Sequence, residues 1–283
     1  MQKLLQPEAI LQGLATTSLP RTVHCYGQVG STMDLCRTAL SSLPAHELPL
    51  LVVADEQLAG RGRRGRAWVA PAGTALLCSL ALRPHNLAAA HAASLIWLAS
   101  VALCEGIADA TGLQPRLKWP NDLIVQYAEP PEWRKVAGIL LEIQSVQKEI
   151  AWAIIGCGIN VAASPPLDTV RYPAGDLMTA GGAPVDRLTL VRAILRRLDS
   201  WYIRLGAGDD RALFVTWRSL LQSLGQYVSV ETDQGTLSGQ AEDVDQNGSL
   251  IIRDANGARH SIASGDVALV RSLLGTTASR EGS

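Results

Sequence analysis

Near residue 222 the texture of this sequence changes, and the change sets the architecture. Before it, apolar runs of strand length alternate with stretches of helical spacing. After it, QYVSVETDQGTLSGQAEDVDQNGSLIIRDANGARHSIASGDVALV carries short β-branched runs. The turn signals DQG, QNG, ANG and SGD break those runs about every ten residues. That pattern predicts a small all-β meander or SH3-like barrel. Two domains are therefore expected, residues 1–222 and residues 223–272, with a flexible tail over 273–283.

The first domain reads as a sheet with helices. LLVVADEQ (50–57) is a buried strand that turns polar at its end, and TALLCSLALRP (74–84) is a second strand. RLKWPNDLIV and KVAGILLEIQ read as two more, with QYAEPPEWR between them as an exposed loop marked by two prolines. EIAWAIIGCGINV is an apolar strand ending in a glycine-rich turn. The stretch 86–112, NLAAAHAASLIWLASVALCEGIADATG, is apolar almost all round. It is dominated by alanine, which drives insertion weakly, and lacks basic flanks, so a buried core helix is expected rather than a membrane span. Gly112 is placed to end it. RLTLVRAILRRLDSWYIRLGAG has apolar residues at 188, 190, 191, 194, 195, 198, 201 and 202. This is a helical stripe, with most arginines off it on a solvated face.

Hydrophobic residues make up 47% of the 283, and charged residues 18%, which describes a folded chain. The five cysteines are widely spaced and form no CxxC, and the five histidines show no metal spacing. Free thiols in a reducing cytoplasm are expected, without a disulfide framework or zinc site. Glu8 and Pro7 interrupt the first apolar stretch, against a signal peptide. The formal net charge is −1, which gives no general attraction for nucleic acid or membrane. Any anion site must be local.

One such place is AGRGRRGRAW, with four arginines in six positions from Arg61 to Arg66. Gly60 to Gly65 fits GxGxxG after a strand, but RAWVAPAG follows instead of a helix, against a dinucleotide fingerprint. Nucleic-acid-binding RGG segments are usually long and repeated; this one is single and short. A solvated basic loop remains an alternative. The sharper reading is a phosphate loop that orders on binding, since glycine N–H groups approach phosphate closely and guanidinium forks bind its oxygens.

The stretch DEQLAGRGRRGRAWVAP resembles the signature of class I biotin–protein ligases. Ser31-Thr32, KWPNDLIV (118–125), KVAGILLE (135–142) and GCGINV (156–161) follow the same family in the same order, and the C-terminal meander resembles its small third region. The resemblance spans roughly residues 20 to 270 and is specific as a set. It implies an α+β fold: a mixed β-sheet with flanking helices, like a class II aminoacyl-tRNA synthetase or biotin ligase catalytic domain, followed by a small SH3-like β-barrel. It implies ATP-dependent activation of biotin to biotinyl-5'-AMP, release of pyrophosphate, and transfer of biotin to a lysine of a carboxylase carrier domain.

The resemblance also distributes roles. The loop Gly60–Arg66 would close over the adenylate, with Arg61 and Arg63 on biotin or phosphate and Gly62 admitting the backbone. Arg66 and Trp68 would face the nucleotide; the alternative for Arg64 and Arg66 is that they only keep the loop soluble. Ser31 and Thr32 would bond the ureido ring; a helix N-cap is the alternative for them. Met33 stands where the family often has asparagine, and Gly30 where it often has aspartate. Gln57 would face biotin. Lys118 and Asn121 would meet the nucleotide, and Asp122 would hold Mg²⁺ on its phosphates or form an Asx turn. Lys135 would bind the ligand carboxylate and stabilise charge on the transferring oxygens, with Gly138 allowing close passage. Asn160, in the GIN turn, would lie near ribose or phosphate. Catalysis is thus expected from Lys135, Arg63, Lys118 and Asp122. Expected partners are biotin, ATP with Mg²⁺, and a biotin carboxyl carrier protein. No membrane partner is expected from the charge balance and the alanine-rich helix, and no direct DNA binding, because about thirty residues precede Ser31 where a DNA-binding domain needs roughly sixty. A homodimer is left open. The alternatives are a lipoate or octanoate ligase of related fold, and a nucleic-acid-binding module.

Overall fold

The structure, a computed structural model, describes residues 4–84, 87–166, 172–232 and 235–269. The tail expected over 273–283 lies outside the described residues. The chain divides into two compact units at Leu221/Gln222.

The first unit is built on a seven-stranded mixed sheet. Its strands are β1 (Thr22–Val29), β2 (Leu50–Gln57), β3 (Ala75–Leu82), β4 (Arg116–Lys118), β5 (Asp122–Tyr127), β6 (Glu132–Val146) and β7 (Glu149–Asn160). They lie in the order β1-β2-β3-β7-β6-β5-β4. Only β1 and β2 pair in parallel; the other neighbours are antiparallel. The helices are α1 (Pro7–Leu11), α2 (Thr32–Ser42), α3 (Ala93–Thr111), α4 (Leu177–Gly181), α5 (Arg187–Gly206) and α6 (Asp210–Leu220).

Strand alternation assigns the two faces of the sheet. Leu76 and Leu80 of β3 and Ile155 and Ile159 of β7 point at Leu103 of α3 and Ile194 of α5. The two helices approach closely because residue 106 is glycine: a β-carbon there would meet the Ile194 Cα at 2.6 Å. The stretch Ala89–Thr111 is long and apolar enough to cross a bilayer, but its side chains are mostly buried here against the sheet and α5. Gly112 ends α3 in a left-handed conformation with φ 75°. The opposite face carries α2, whose Met33, Cys36 and Leu40 pack on Leu50, Val52, Ala81 and Ile154. A cavity lined by Ser31, Met33, Ser79 and Gly156 lies on this second face.

Three expectations need correction. RLKWPNDLIV is not one strand. Pro120 cannot donate to a ladder, so the chain turns at Trp119–Asn121 and folds β5 back on β4, with Lys118 opposite Asp122. The loop QYAEPPEWR shrinks to a turn over 128–131, because Tyr127 is buried, its hydroxyl bonds the Asp176 backbone, and Arg134 lies 4.4 Å over its ring. The arginines of α5 are not all solvated: Arg187 is 1% exposed, 2.8 Å from Asp55 Oδ1. A buried guanidinium requires such a partner.

The second unit is an SH3-like antiparallel sheet. It comprises β8 (Tyr227–Thr232), β9 (Gly235–Val244), β10 (Leu250–Arg253), β11 (Arg259–Ile262) and β12 (Asp266–Leu269), in the order β11-β10-β9-β8-β12. No pairing joins β11 to β12 among the described residues, so the barrel is not closed by strand pairing. Val228, Val230, Ala241, Leu250 and Ile252 form its interior. The QNG and ANG turns form as their composition requires. The carboxylates of Asp245 and Asp254 accept backbone N–H bonds, and Gly248 and Gly257 take φ of 81° and 83°.

Candidate active site

The floor of the cavity is a flat strip of sheet. Gly156 and Gly158 lie two residues apart on β7, on one face. Ser79 and Leu140 sit opposite Gly156, and Gly138 sits opposite Gly158. The glycines serve close packing rather than a turn, and the GIN segment expected to turn is strand. A β-carbon at 156 would meet Met33 Sδ at 2.7 Å, and one at 158 would meet Trp68 Cε2 at 2.4 Å. Met33 and Trp68 therefore rest directly on backbone. Between the sheet, the N-terminus of α2 and the arginine loop lies a cavity of about 200 Å³.

One end of the cavity is neutral and polar. Ser31 occupies the N-cap position of α2, yet its hydroxyl makes no capping bond. Instead the Gln57 side chain caps the helix, its Oε1 accepting from Thr32 N at 2.8 Å and Thr32 Oγ1 at 3.0 Å. Thr32 Oγ1 also lies 2.7 Å from Ser79 Oγ. That arrangement leaves Ser31 Oγ buried with no partner.

The other end is charged. Lys135 Nζ lies 2.6 Å from Asp122 Oδ1, and Lys118 Nζ lies 3.4 Å from Asp122 Oδ2. Burial pushes the Asp122 carboxyl upward, but the two ammoniums outweigh it and hold the group below the usual carboxylate range. Asn121 donates from Nδ2 to the Ile139 carbonyl at 2.6 Å and accepts from Arg63 at 3.2 Å. Lys135 also lies 5.6 Å from the Trp68 ring, and Lys118 lies 4.9 Å from that of Tyr172. Asn160 donates from Nδ2 to the Gly175 carbonyl, which leaves its buried Oδ1 unpartnered.

This end does not fit a metal caged by protein. Both oxygens of Asp122 face ammoniums. No three His, Cys, Asp or Glu side chains gather into a metal-binding group among the described residues. The sequence expectation that Asp122 is a metal ligand is therefore at odds with its surroundings.

The arginine loop is a folded hairpin. Arg61 bridges to Ala67, Gly62 N donates to the Arg66 carbonyl at 2.7 Å, and Trp68 N donates to the Gly60 carbonyl at 2.9 Å. Arg64 and Gly65 both take left-handed conformations at the tip, with φ of 55° and 72°. Gly60 is obligatory, since a β-carbon there would meet the Trp68 carbonyl oxygen at 2.4 Å. The arginines do not simply repel one another. Arg61 lies 2.8 Å from Asp34 Oδ1 and 3.6 Å from Glu142 Oε1.

The residues expected at the site come together, with two qualifications. Ser31, Thr32, Met33, Gln57, Arg61, Gly62, Arg63, Arg66, Trp68, Asn121, Asp122, Lys135, Gly138 and Asn160 line the cavity. Gly60 supports the loop from behind, and Lys118 reaches the site through Asp122. Sequence reasoning missed Ser79, Gly156 and Tyr172, which also line it. The alternation of β3 and β7 was the available signal for Ser79 and Gly156; Tyr172 had none.

The mixed sheet, its glycine floor and the paired ammoniums were set beside proteins of known family. A model of the biotin/lipoate A/B protein ligase family matches residues 27–160, and one of the biotin protein ligase C-terminal domain matches residues 223–270. A bifunctional ligase/repressor of Bacillus subtilis is 33% identical over 80% of this chain and 70% of its own length. A biotin–[acetyl-CoA-carboxylase] ligase of Paracoccus denitrificans is 33% identical over 77% of this chain and 90% of its own. The chain belongs to the biotin protein ligase family. Its fold matches that of the biotin protein ligase from Aquifex aeolicus in complex with biotin and ATP, with a TM-score of 0.71 at 24% identity, covering 89% of this chain and all of that one.

Proposed function

We propose that this protein is a biotin–protein ligase acting in two steps at one cavity. In the first, a biotin carboxylate oxygen attacks the α-phosphorus of ATP. The bond to the departing phosphate breaks, giving biotinyl-5'-AMP and pyrophosphate. In the second, the amine of a carrier-protein lysine attacks the acyl carbon and AMP leaves. The clustering of buried polar atoms without a partner carries this reading: among the described residues there are five, and three of them, Ser31 Oγ, Trp68 Nε1 and Asn160 Oδ1, belong to residues lining this one cavity, while Ser100 Oγ and Trp217 Nε1 lie elsewhere. Buried polar groups are nearly always paired, so three orphans around one space mark a place where a ligand completes the bonding.

The two ends suit the two substrates. Ser31 and Thr32, with Gln57 fixing Thr32, would hold the ureido ring. Met33, Gly138 and Trp68 would wall the apolar remainder. Lys135 and Arg63 would meet the carboxylate and the α-phosphate, where two anions must be brought together and positive charge suppresses their repulsion. Asp122 holds Lys135 and Lys118 in place. Asn121, Asn160 and Arg66 would take the nucleotide. Magnesium would supply further charge neutralisation when it arrives on the ATP phosphates, coordinated largely by substrate and water. The acceptor would be a biotin carboxyl carrier domain, and the five free cysteines suit a reducing cytoplasm.

ATP–pyrophosphate exchange with the purified protein, run in parallel with biotin, lipoate and octanoate, tests the reading. Exchange with biotin alone is expected. Exchange with lipoate would move the activity to the related acid, and no exchange with any acid would overturn it.

A further inference from the structure

The arginine loop is tied to the body of the domain by four charged side chains, two of them carboxylates outside the cavity lining. Asp34 stands in the first turn of α2 and Glu142 stands on β6. Arg61 lies 2.8 Å from Asp34 and 3.6 Å from Glu142. Arg37, one turn after Asp34, touches the same two carboxylates: 2.6 Å from Asp34 Oδ1 and paired with Glu142. Two guanidiniums thus share two carboxylates, and the charges balance.

Geometry explains why Arg61 is the arginine held this way. It is the first residue after the Gly60 contact with Trp68, and it bridges to Ala67 across the hairpin. Holding Arg61 therefore holds both arms of the loop. The same hairpin seats Trp68 on Gly158. Asp34 lies one residue after Met33, so the strap also fixes the loop relative to the helix end that carries Ser31 and Thr32. Arg63, by contrast, points inward to Asn121.

We infer that Asp34 and Glu142 are positioning residues, which strap the arginine loop over the cavity through Arg61 and thereby set the affinity for the acid and the nucleotide. The Arg61 guanidinium is then a fastening, while the residue itself still lines the cavity. The strap is part-exposed, with its four side chains between 29% and 48% accessible, so it is reversible and weakens with salt. This inference rests on the ligase reading for its kinetic consequence but not for its structural one.

The loop carries its own reporter, because trypsin cleaves after arginine and four lie between 61 and 66. The test uses the full chain with Asp34→Asn and Glu142→Gln combined, which leaves every cleavage site in place. Without any ligand, cleavage in the loop should accelerate about tenfold, in line with loss of two part-exposed ion pairs. In ATP–pyrophosphate exchange the KM for biotin should rise by a similar factor, while kcat stays within about twofold of the parent. Arg37→Gln is the control, since it leaves both carboxylates to Arg61; protection and KM should then match the parent. Unchanged cleavage and KM in the double variant would overturn the strap. So would Arg37→Gln reproducing the double variant, which would place the effect on α2. Absence of exchange in the parent chain would instead refute the ligase reading, and the cleavage rates would still decide the strap.

Discussion

The indole of Trp68 lies so close to Gly158 that a β-carbon at 158 would meet its Cε2 at 2.4 Å. A methyl group there must lift a rigid ring from the sheet, and the arginine hairpin with it. Gly158→Ala should cost about 1–3 kcal/mol of stability through overpacking. It should also raise the KM for biotin at least tenfold, on the order of 1.4 kcal/mol of binding. A thermal melt and exchange kinetics on one preparation would check both. A variant with parent KM would show that Trp68 does not wall the acid site.

Ser31→Ala separates binding from folding. Among the described residues the Ser31 hydroxyl has no partner, so its removal deletes none of their hydrogen bonds. Stability should hold or rise slightly, since an unsatisfied buried group is lost. Biotin affinity should fall about tenfold, from loss of one hydrogen bond of about 1–1.5 kcal/mol. Calorimetric titration with biotin against the melting temperature reads the two effects independently. A drop in stability with unchanged affinity would make Ser31 structural.

Lys135→Met should abolish exchange to within about a hundredth of the parent rate or less, the usual scale for removing one preorganised charge. It should also change the response to acid. The Asp122 carboxyl is depressed in the folded protein, so its contribution is present above the unfolded-state value, about 3.9, and is lost as pH falls through the folded value. Without Lys135, burial is opposed by Lys118 alone, the folded value rises, and acid unfolding should begin at higher pH. Melting temperatures between pH 3 and 7, taken as an approximate window for carboxylate titration, check the sign. An unshifted acid limb would mean that Lys118 alone suffices.

Magnesium should matter to the reaction and not to the empty protein. Asp122, the one carboxylate among the described residues that line the cavity, faces two ammoniums. Chelation should therefore stop exchange, and adding magnesium should restore it, while the melting temperature of the protein alone stays within about a degree under both conditions. Stabilisation by magnesium without nucleotide would reveal a protein-held ion.

Much of this was legible in the sequence. The continuous apolar runs of β2 and β3, the all-round apolarity of α3 and the glycine-marked turns of the C-terminal sheet follow from local pattern. The site residues were legible because their order resembles a family, and the cavity gathers nearly all of them. What escaped depends on who sits opposite whom. Ser79 meets Thr32 only through the register of β3 beneath α2. The GIN glycines looked like a turn because sequence alone cannot show a tryptophan above them. Arg187 looked solvated because its partner, Asp55, is 132 residues away.

The glycine floor has a consequence for any attempt to redirect this protein to another acid. A cavity walled by side chains can be reshaped from every direction, one substitution at a time. Here one wall is bare backbone, and Gly138, Gly156 and Gly158 already touch what lies above them. That wall cannot be remodelled without evicting Met33 or Trp68. Adaptation to a bulkier or smaller acid is therefore channelled into the helix end and the hairpin, whose cavity-facing surfaces are made of side chains.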